Sequence, residues 1–166
     1  MKSLPFGILQ KFSSIPVADA HCDIPCKIYD PIIAQIGALS VVRLLDIMIE
    51  VTNSEKVSFS LTTENTMSRC IFRKEEEAER VKKEIGVIWG DYFKSSQFEA
   101  FPELNDLVHK IMQKASACKQ DIRREHGEDL VNLVNRFAEI FWQSKDVKTI
   151  VRSCPYPPNL PIIYPV

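Results

Sequence analysis

Apolar side chains recur every three or four positions over four long stretches of the chain, the spacing that places them on one face of a helix. Asp30 followed by Pro31 marks the start of the first helix, because aspartate caps helix N-termini and proline fits the first helical position. Gly127 is expected to separate the third helix from the fourth. The predicted helices cover about residues 32–50, 63–92, 102–126 and 130–151.

The connections between these helices are short, which favours antiparallel neighbours and therefore an all-α, up-down four-helix bundle. Residues 51–62 are polar and rich in serine and threonine, so they are predicted to form a loop. The charge-rich run 73–84 is predicted to be the solvated face of the second helix. No strand-like alternation of useful length is present, and prolines prevent the tail, residues 153–166, from being helical. No apolar run approaches the roughly 20 residues that span a bilayer, so a membrane protein is not expected.

Composition and charge narrow the class of protein further. The 166 residues suit one domain, and 21 basic against 22 acidic residues give a net charge of -1, which argues against nucleic acid or a membrane surface as partner. The five cysteines are many for this length, and an odd number cannot all pair in disulfides. We divide the chain into a leader that is removed, residues 1–20, a bundle domain, residues 21–151, and a proline-rich tail, residues 152–166.

One short segment just before the first helix is not explained by packing. It carries His21, Cys22 and Cys26, and Pro25 stiffens the chain between the two thiols, which makes the segment a loop. On spacing alone, a metal site is evenly balanced against three simpler readings: a local disulfide, a zinc half-site without its other ligands, or two partly buried thiols.

Cleavage of the chain after Ala20 would change the chemistry of this segment. It would free an α-amine on His21 with an ordinary pKa of about 7.7–8.0, low enough to lose its proton to a metal near neutral pH. That amine and the amide nitrogen of Cys22 can close a chelate ring, and the thiolates of Cys22 and Cys26 complete a square plane. The His21 imidazole is close enough to approach axially. Square-planar nitrogen and sulfur donors favour nickel(II) or copper(II) over zinc.

The segment 21–31, which reads His-Cys-Asp-Ile-Pro-Cys-Lys-Ile-Tyr-Asp-Pro, resembles the nickel hook of the nickel-containing superoxide dismutases. Residues 87–94, together with 98–99 and 102–104, resemble the stretch that joins the second and third helices of that family. Residues 140–142 resemble part of its last helix. The resemblance extends from the leader to about residue 148, and the hook is its most specific part.

The resemblance implies a homohexamer of four-helix bundles that converts superoxide into dioxygen and hydrogen peroxide, with one nickel ion per subunit cycling between Ni(II) and Ni(III). It implies that His21 supplies the amine and the axial imidazole, Cys22 an amide nitrogen and a thiolate, and Cys26 the second thiolate. Asp23 and Tyr29 match the residues that shape the pocket over the open axial face. A maturation protease would remove the leader. From the character of this leader and from the reduced thiols of the mature chain, we expect a cytoplasmic protein.

Two departures from the family pattern concern the axial imidazole. The family places a glutamate on its first helix to orient that ring, but the position is Gly37 here, and the position of its arginine partner is Glu77. We therefore expect a less firmly held axial ligand, with Arg73 and Arg80 as nearby candidates for compensation. A third departure is Lys27, where the family usually has glycine, and we expect its side chain to extend into solvent or an interface.

Two other functions remain open at this point. A non-enzymatic metal-binding or sensory homologue would keep the hook without the residues that orient the imidazole. A plain helical assembly protein would instead join Cys22 and Cys26 in a disulfide.

The remaining candidate residues are expected to be structural. His109 and His126 lie on a predicted helix surface or at a helix end, without a second ligand at metal-binding spacing. Cys70 and Cys118 fall in apolar stripes, where thiols are commonly buried, and Cys154 at the start of the tail is expected to be exposed. The aromatic residues expected in the core or at subunit contacts are Trp89, Tyr92, Phe93, Phe141 and Trp142.

Overall fold

The structure is a computed structural model that describes residues 26–53 and 60–166. The predicted leader and the first part of the hook lie outside the described residues. The helices are α1 (Ile32–Asn53), α2 (Leu61–Val87), α3 (Ser95–Ala100), α4 (Leu104–Gln120) and α5 (Arg124–Gln143), and a π-helical turn, Ile88–Tyr92, continues α2. Two strands follow, β1 (Thr149–Ser153) and β2 (Pro161–Pro165).

The four long helices pack side by side in the cyclic order α1, α2, α4, α5, which confirms the four-helix bundle. Their directions alternate. Gly37 of α1 faces Val81 of α2, whereas Leu44, further along α1, shares a cleft with Arg73, which comes earlier in α2. On the opposite side, Lys114 of α4 pairs with Asp129 of α5, whereas Glu103, just before α4, pairs with Arg136, further along α5. The aliphatic stripes read from the sequence therefore meet in one central core.

The predicted start of α1 is confirmed in detail. The backbone N–H of Ile32 donates to the Asp30 carboxylate at 2.8 Å, and the N–H of Gln35 donates to the carbonyl of Pro31 at 3.0 Å. Asp30 thus satisfies a helix N–H that has no partner within the helix. This cap fixes where the loop ends and the helix begins, and so it anchors the segment that carries the hook.

Gly127 does not separate two helices, as the sequence analysis expected. The break lies between Gln120 and Arg124, and Gly127 is buried inside α5. A Cβ at this position would lie 2.8 Å from the Val42 Cγ2 and 3.2 Å from the Leu45 Cδ1 of α1. Glycine is therefore needed for the close approach of α5 to α1, and not for a turn.

The charged run 73–84 is not wholly solvated, because Lys74 is 2 % exposed and Glu77 is 3 % exposed. The Lys74 ammonium donates to the carbonyls of Cys118, Lys119 and Asp121 at the end of α4. These carbonyls have no partner within the helix, and a cation at a helix C-terminus is favoured by the helix dipole. Burial lowers the pKa of Lys74, so three carbonyl partners offset the cost of desolvating it.

Replacing Lys74 by methionine should lower the free energy of unfolding by about 2–3 kcal/mol, because buried carbonyls at the end of α4 would lose their donor. Lys83→Met is the matched control, since Lys83 lies on the exposed side of the same helix and its replacement should change stability by less than about 0.5 kcal/mol. Urea unfolding of both variants measures the difference. Equal stability of the two would contradict this role of Lys74.

The proline-rich tail forms a β-hairpin, which the sequence analysis did not predict. β1 and β2 pair antiparallel, with Thr149 opposite Pro165 and Ser153 opposite Pro161. The boundary expected between residues 151 and 152 falls inside β1. Each strand has only five residues, so the alternation of apolar and polar side chains was too short to predict a strand. The prolines of β2 lie at its two ends, where strands tolerate them.

The hairpin is bound to the bundle through a buried polar cluster. The Gln35 amide, 2 % exposed, donates to the Ile163 carbonyl at 3.0 Å and to the Asn135 side chain at 3.1 Å. Asn135 in turn donates to the Pro161 carbonyl at 2.8 Å. Cys154, expected to be exposed, is 1 % exposed, and its thiol donates to the Tyr156 carbonyl, because the hairpin folds back over it.

Helix α1 is long and apolar enough to cross a membrane by length and composition alone, with a mean hydropathy of 2.0 over its most apolar window. The sequence analysis expected no stretch that could span a membrane, but by length and hydropathy α1 is such a stretch. Half of that window is buried in the fold, and the helix packs against α2 and α5. Helix α1 is therefore a core helix of the bundle. Its side away from the core is also apolar, with Ile33 and Ile36 partly exposed.

Candidate metal centre

The described part of the hook consists of the residues from Cys26 to the start of α1. Cys26 is a free, exposed thiol, and Ile28 is 74 % exposed. The other predicted site residues, His21, Cys22 and Asp23, lie outside the described residues. Among the described residues, no three histidine, cysteine, aspartate or glutamate side chains lie close enough together to hold a metal ion.

Lys27 takes the left-handed backbone conformation, with φ of 56°. This conformation costs a non-glycine residue about 1–2 kcal/mol, whereas glycine adopts it freely. The local geometry therefore explains why glycine suits the position after Cys26. The Lys27 side chain is exposed, as expected from the sequence, and the left-handed turn redirects the chain between the Cys26 thiol and the anchor at Tyr29.

Tyr29 is the anchor of this segment, since it is 6 % exposed and belongs to the core. Its ring lies 5.8 Å from that of Tyr92, in the π-helical turn. Tyr92 contacts the ring of Phe141 of α5 at 4.8 Å, and the Lys145 ammonium lies 5.0 Å from the centre of the Tyr92 ring. The end of the hook is thus held on a rigid aromatic cluster with a cation beside it.

The other residues singled out from the sequence are structural in the described part of the chain. Cys70 and Cys118 are buried, as expected. Burial raises the pKa of the Cys118 thiol to about 11, so this thiol stays protonated at neutral pH. His109 is exposed on α4. Among the aromatic residues, Phe93 and Phe141 are buried in the core, whereas Trp89 is 39 % exposed.

Gly37 and Glu77, the two positions that depart from the family pattern, face each other across the contact between α1 and α2. A Cβ at Gly37 would lie 3.5 Å from the Glu77 Oε2 and 2.9 Å from the Val81 Cγ2. The Glu77 Oε1 pairs with Arg73 at 2.5 Å, and its Oε2 lies 3.8 Å from Arg80. The carboxylate from α2 therefore occupies the space beside the missing side chain on α1.

The chemistry of the described residues fits a nickel site. The Cys26 thiol is accessible and outside any disulfide, and thiolates are ligands suited to soft or borderline metal ions. The Glu77 Oε2 is a buried oxygen with no hydrogen-bond partner among the described residues. A ligating imidazole needs such an acceptor for its second ring nitrogen.

Comparisons with known proteins agree with this chemistry. Residues 16–145 match the family model described as nickel-containing superoxide dismutase. A protein named superoxide dismutase [Ni] from Streptomyces seoulensis is 34% identical over 126 residues, which are 76% of this chain and 88% of the relative. Its counterpart from Streptomyces coelicolor is 33% identical over 134 residues, 81% of this chain and 95% of the relative.

Solved structures show the same likeness in three dimensions. A native structure of nickel superoxide dismutase superimposes with a TM-score of 0.64 at 34% identity, covering 75% of this chain and 99% of that one. Another, described as having the nickel ligation of the oxidised state, gives 0.65 at 33% identity and covers 76% and 99%. The family match ends at residue 145, before β1 begins at Thr149. Over the bundle and the segment before it, this chain belongs to the nickel-containing superoxide dismutase family.

Proposed function

We propose that this chain dismutates superoxide at a nickel ion held by the α-amine and imidazole of His21, the amide nitrogen and thiolate of Cys22, and the thiolate of Cys26. The observation that carries the assignment is the free, exposed Cys26 thiol at the start of the segment anchored by Tyr29. When bound, nickel supplies one-electron redox chemistry. In the overall reaction, two superoxide ions and two protons would give one dioxygen and one hydrogen peroxide.

The residues around the hook have separate tasks in this proposal. Tyr29 holds the end of the hook against the Tyr92 ring and, with Asp23, would shape the pocket through which a small anion reaches the metal. Lys27 is exposed, and the Lys145 ammonium lies over the aromatic cluster behind Tyr29. Both cations raise the local positive potential, which favours the approach of superoxide.

We also infer that a protease removes residues 1–20, that the mature chain assembles into a homohexamer, and that it works in the cytoplasm. Assembly is supported by apolar side chains exposed on α1 and α2, among them Ile33, Ile36 and Phe72, which is 66 % exposed. Exposed apolar side chains of this size favour burial in an interface. Light scattering of the mature protein should give six times the mass of one chain.

Alkylation of the folded mature protein tests the ligand assignment. Without metal, Cys22 and Cys26 should react completely, and with nickel bound they should be protected. The buried thiols of Cys70, Cys118 and Cys154 are at most 7 % exposed, so they should stay unmodified in both states and serve as internal controls. Mass spectrometry of the digested protein locates each modification. Two hook thiols that react only after reduction would show a disulfide and contradict the proposal.

A further inference from the structure

The β-hairpin lies outside the segment that matches the family. That match ends at residue 145, whereas β1 begins at Thr149. The native structure of nickel superoxide dismutase is matched over 99% of its length by 75% of this chain. The bundle therefore accounts for nearly all of that protein, and the hairpin is an addition to it.

The outer edge of β2 is bound to the bundle. The Ile163 carbonyl accepts from the Gln35 amide at 3.0 Å, and the Ile163 N–H donates to the Asn135 side chain at 3.3 Å. The Asn135 amide donates to the Pro161 carbonyl at 2.8 Å. The prolines at both ends of β2 have no N–H to offer. This edge of the hairpin is therefore closed to a second chain.

The outer edge of β1 makes no such backbone hydrogen bonds within the described part of the chain. At one end of the hairpin, the Lys148 carbonyl accepts from the Val166 N–H at 2.9 Å. At the other end, the Cys154 N–H donates to the Leu160 carbonyl at 2.9 Å. Residues 148 and 154 thus face β2, and every second residue between them faces it as well. The residues whose backbone N–H and C=O groups point away from β2 are Thr149, Val151 and Ser153.

The outer edge of β1 is uncharged and accessible. Exposed strand edges are commonly protected by charged side chains, prolines or bulges. β1 contains no proline, and its three outward positions carry no charge. Val151, in the middle, is 63 % exposed. β1 is therefore an open strand edge on which another strand can pair.

We propose that this edge of β1 pairs with the same edge of a second copy of the chain, antiparallel about a two-fold axis through Val151. The two hairpins then form one four-stranded sheet. In this register Val151 lies opposite Val151, and Thr149 lies opposite Ser153, so all the outward backbone groups of both strands are used. This inference rests on the assembly of the chain in the proposed function, and not on its nickel chemistry.

The charges on β1 select this register over its neighbours. With Val151 on the axis, Arg152 lies opposite Ile150 of the second copy, and its aliphatic stem can cover that side chain. A shift of two residues in one direction would place Arg152 opposite Arg152, and a shift in the other direction would place it opposite Lys148. Like charges directly opposite each other are destabilising. A shift of one residue would place outward groups opposite inward ones.

The proposed contact is short. Five residues of β1 extend over about 17 Å, and a stable interface buries at least about 1,200 Å², which a contact of this length does not supply. Pairing of β1 therefore adds to the other contacts of the assembly. Because each chain has one such edge, the hairpins join the chains two by two.

Oxidative cross-linking of mature Val151→Cys tests the pairing, with Arg152→Cys as the matched control, since both positions are exposed. Facing residues of a hydrogen-bonded antiparallel pair have Cα atoms about 5.5 Å apart, within the reach of a disulfide. The two copies of Arg152 would be diagonal neighbours about 7–8 Å apart, beyond that reach. Val151→Cys should therefore give a disulfide between the two substituted positions, located by mass spectrometry of the digest, and Arg152→Cys should not.

Hydrogen exchange of single amides in the assembled protein supplies the second readout. The N–H groups of Thr149, Val151 and Ser153 should exchange slowly in the wild type. Val151→Thr keeps the N–H and the branched side chain, so its exchange should match the wild type. Val151→Pro removes an outward donor but no donor to β2, so Thr149 and Ser153 should lose their protection. Ile150 and Arg152 should stay protected in all three proteins, which shows that the hairpin is folded.

Fast exchange of the three outward amides in the wild type would overturn the inference. Equal cross-linking of Val151→Cys and Arg152→Cys would also overturn it, and so would slow exchange without a cross-link at Val151→Cys, because another partner would then cover the edge. None of these results bears on nickel binding. A wild-type protein that forms no nickel centre would overturn the proposed nickel chemistry and leave the pairing of the hairpins in place.

Discussion

Replacing Cys26 by alanine is expected to abolish both nickel retention and superoxide dismutation. The Cys26 thiol is exposed and free, at the end of a loop fixed by the Asp30 cap and the Tyr29 anchor. Removing a direct thiolate ligand should cost more than the roughly 10–100-fold that an outer partner of a ligand contributes. Elemental analysis and a superoxide assay on the same sample measure the two losses, and Cys22→Ala should behave in the same way.

Cys70→Ala is the matched control for this experiment. It removes a thiol that is 7 % exposed and packed in the bundle, so nickel content and activity should remain those of the wild type. If Cys26→Ala kept its nickel, or if Cys70→Ala lost nickel to the same extent while still folded, Cys26 would not be the ligand that we propose.

One extra alanine placed before His21 of the mature chain should also reduce activity to background. The added residue moves the α-amine away from the amide nitrogen of Cys22, and the chelate ring between these two nitrogens can no longer form. All side chains of the mature protein are retained, so folding should be unaffected. The comparison is with a chain that begins at His21, and intact mass confirms the first residue of each protein.

Full activity of the extended chain would show that the amine is not a ligand. Full activity of a chain that still begins at Met1 would have the same meaning, and would also contradict the removal of residues 1–20. Loss of activity accompanied by a lower melting temperature of the metal-free protein would indicate damage to the fold instead, so the melting temperatures of the metal-free proteins are compared first.

The start of α1 and the bundle could be predicted from the sequence because their signals are local. Asp30 and Pro31 are adjacent, and each acts on the helix turn that follows it. The apolar stripes repeat every three or four residues over whole helices, so small errors in boundaries do not change the fold. The hook could be recognised from the sequence for a different reason. Neither helix packing nor loop composition explains two thiols and an imidazole within a few residues.

The surroundings of Gly127, Lys74 and Glu77 could not be derived from sequence, since each of them packs against a residue far along the chain. Gly127 looks like a helix break until α1 is placed against it. Lys74 interrupts the apolar stripe of α2, which is a visible signal, but its three carbonyl partners belong to the end of α4. The hairpin depends on Gln35 and Asn135, which are ordinary polar residues in the sequence.

The most direct test of the central claim is to measure nickel content and superoxide dismutation in the same preparation of mature wild-type protein. We predict one nickel ion per chain and a rate of superoxide loss that disappears when nickel is removed and returns when nickel, but not zinc, is restored. A fully nickel-loaded protein without dismutase activity would contradict the claim and would favour a metal-binding or sensory role.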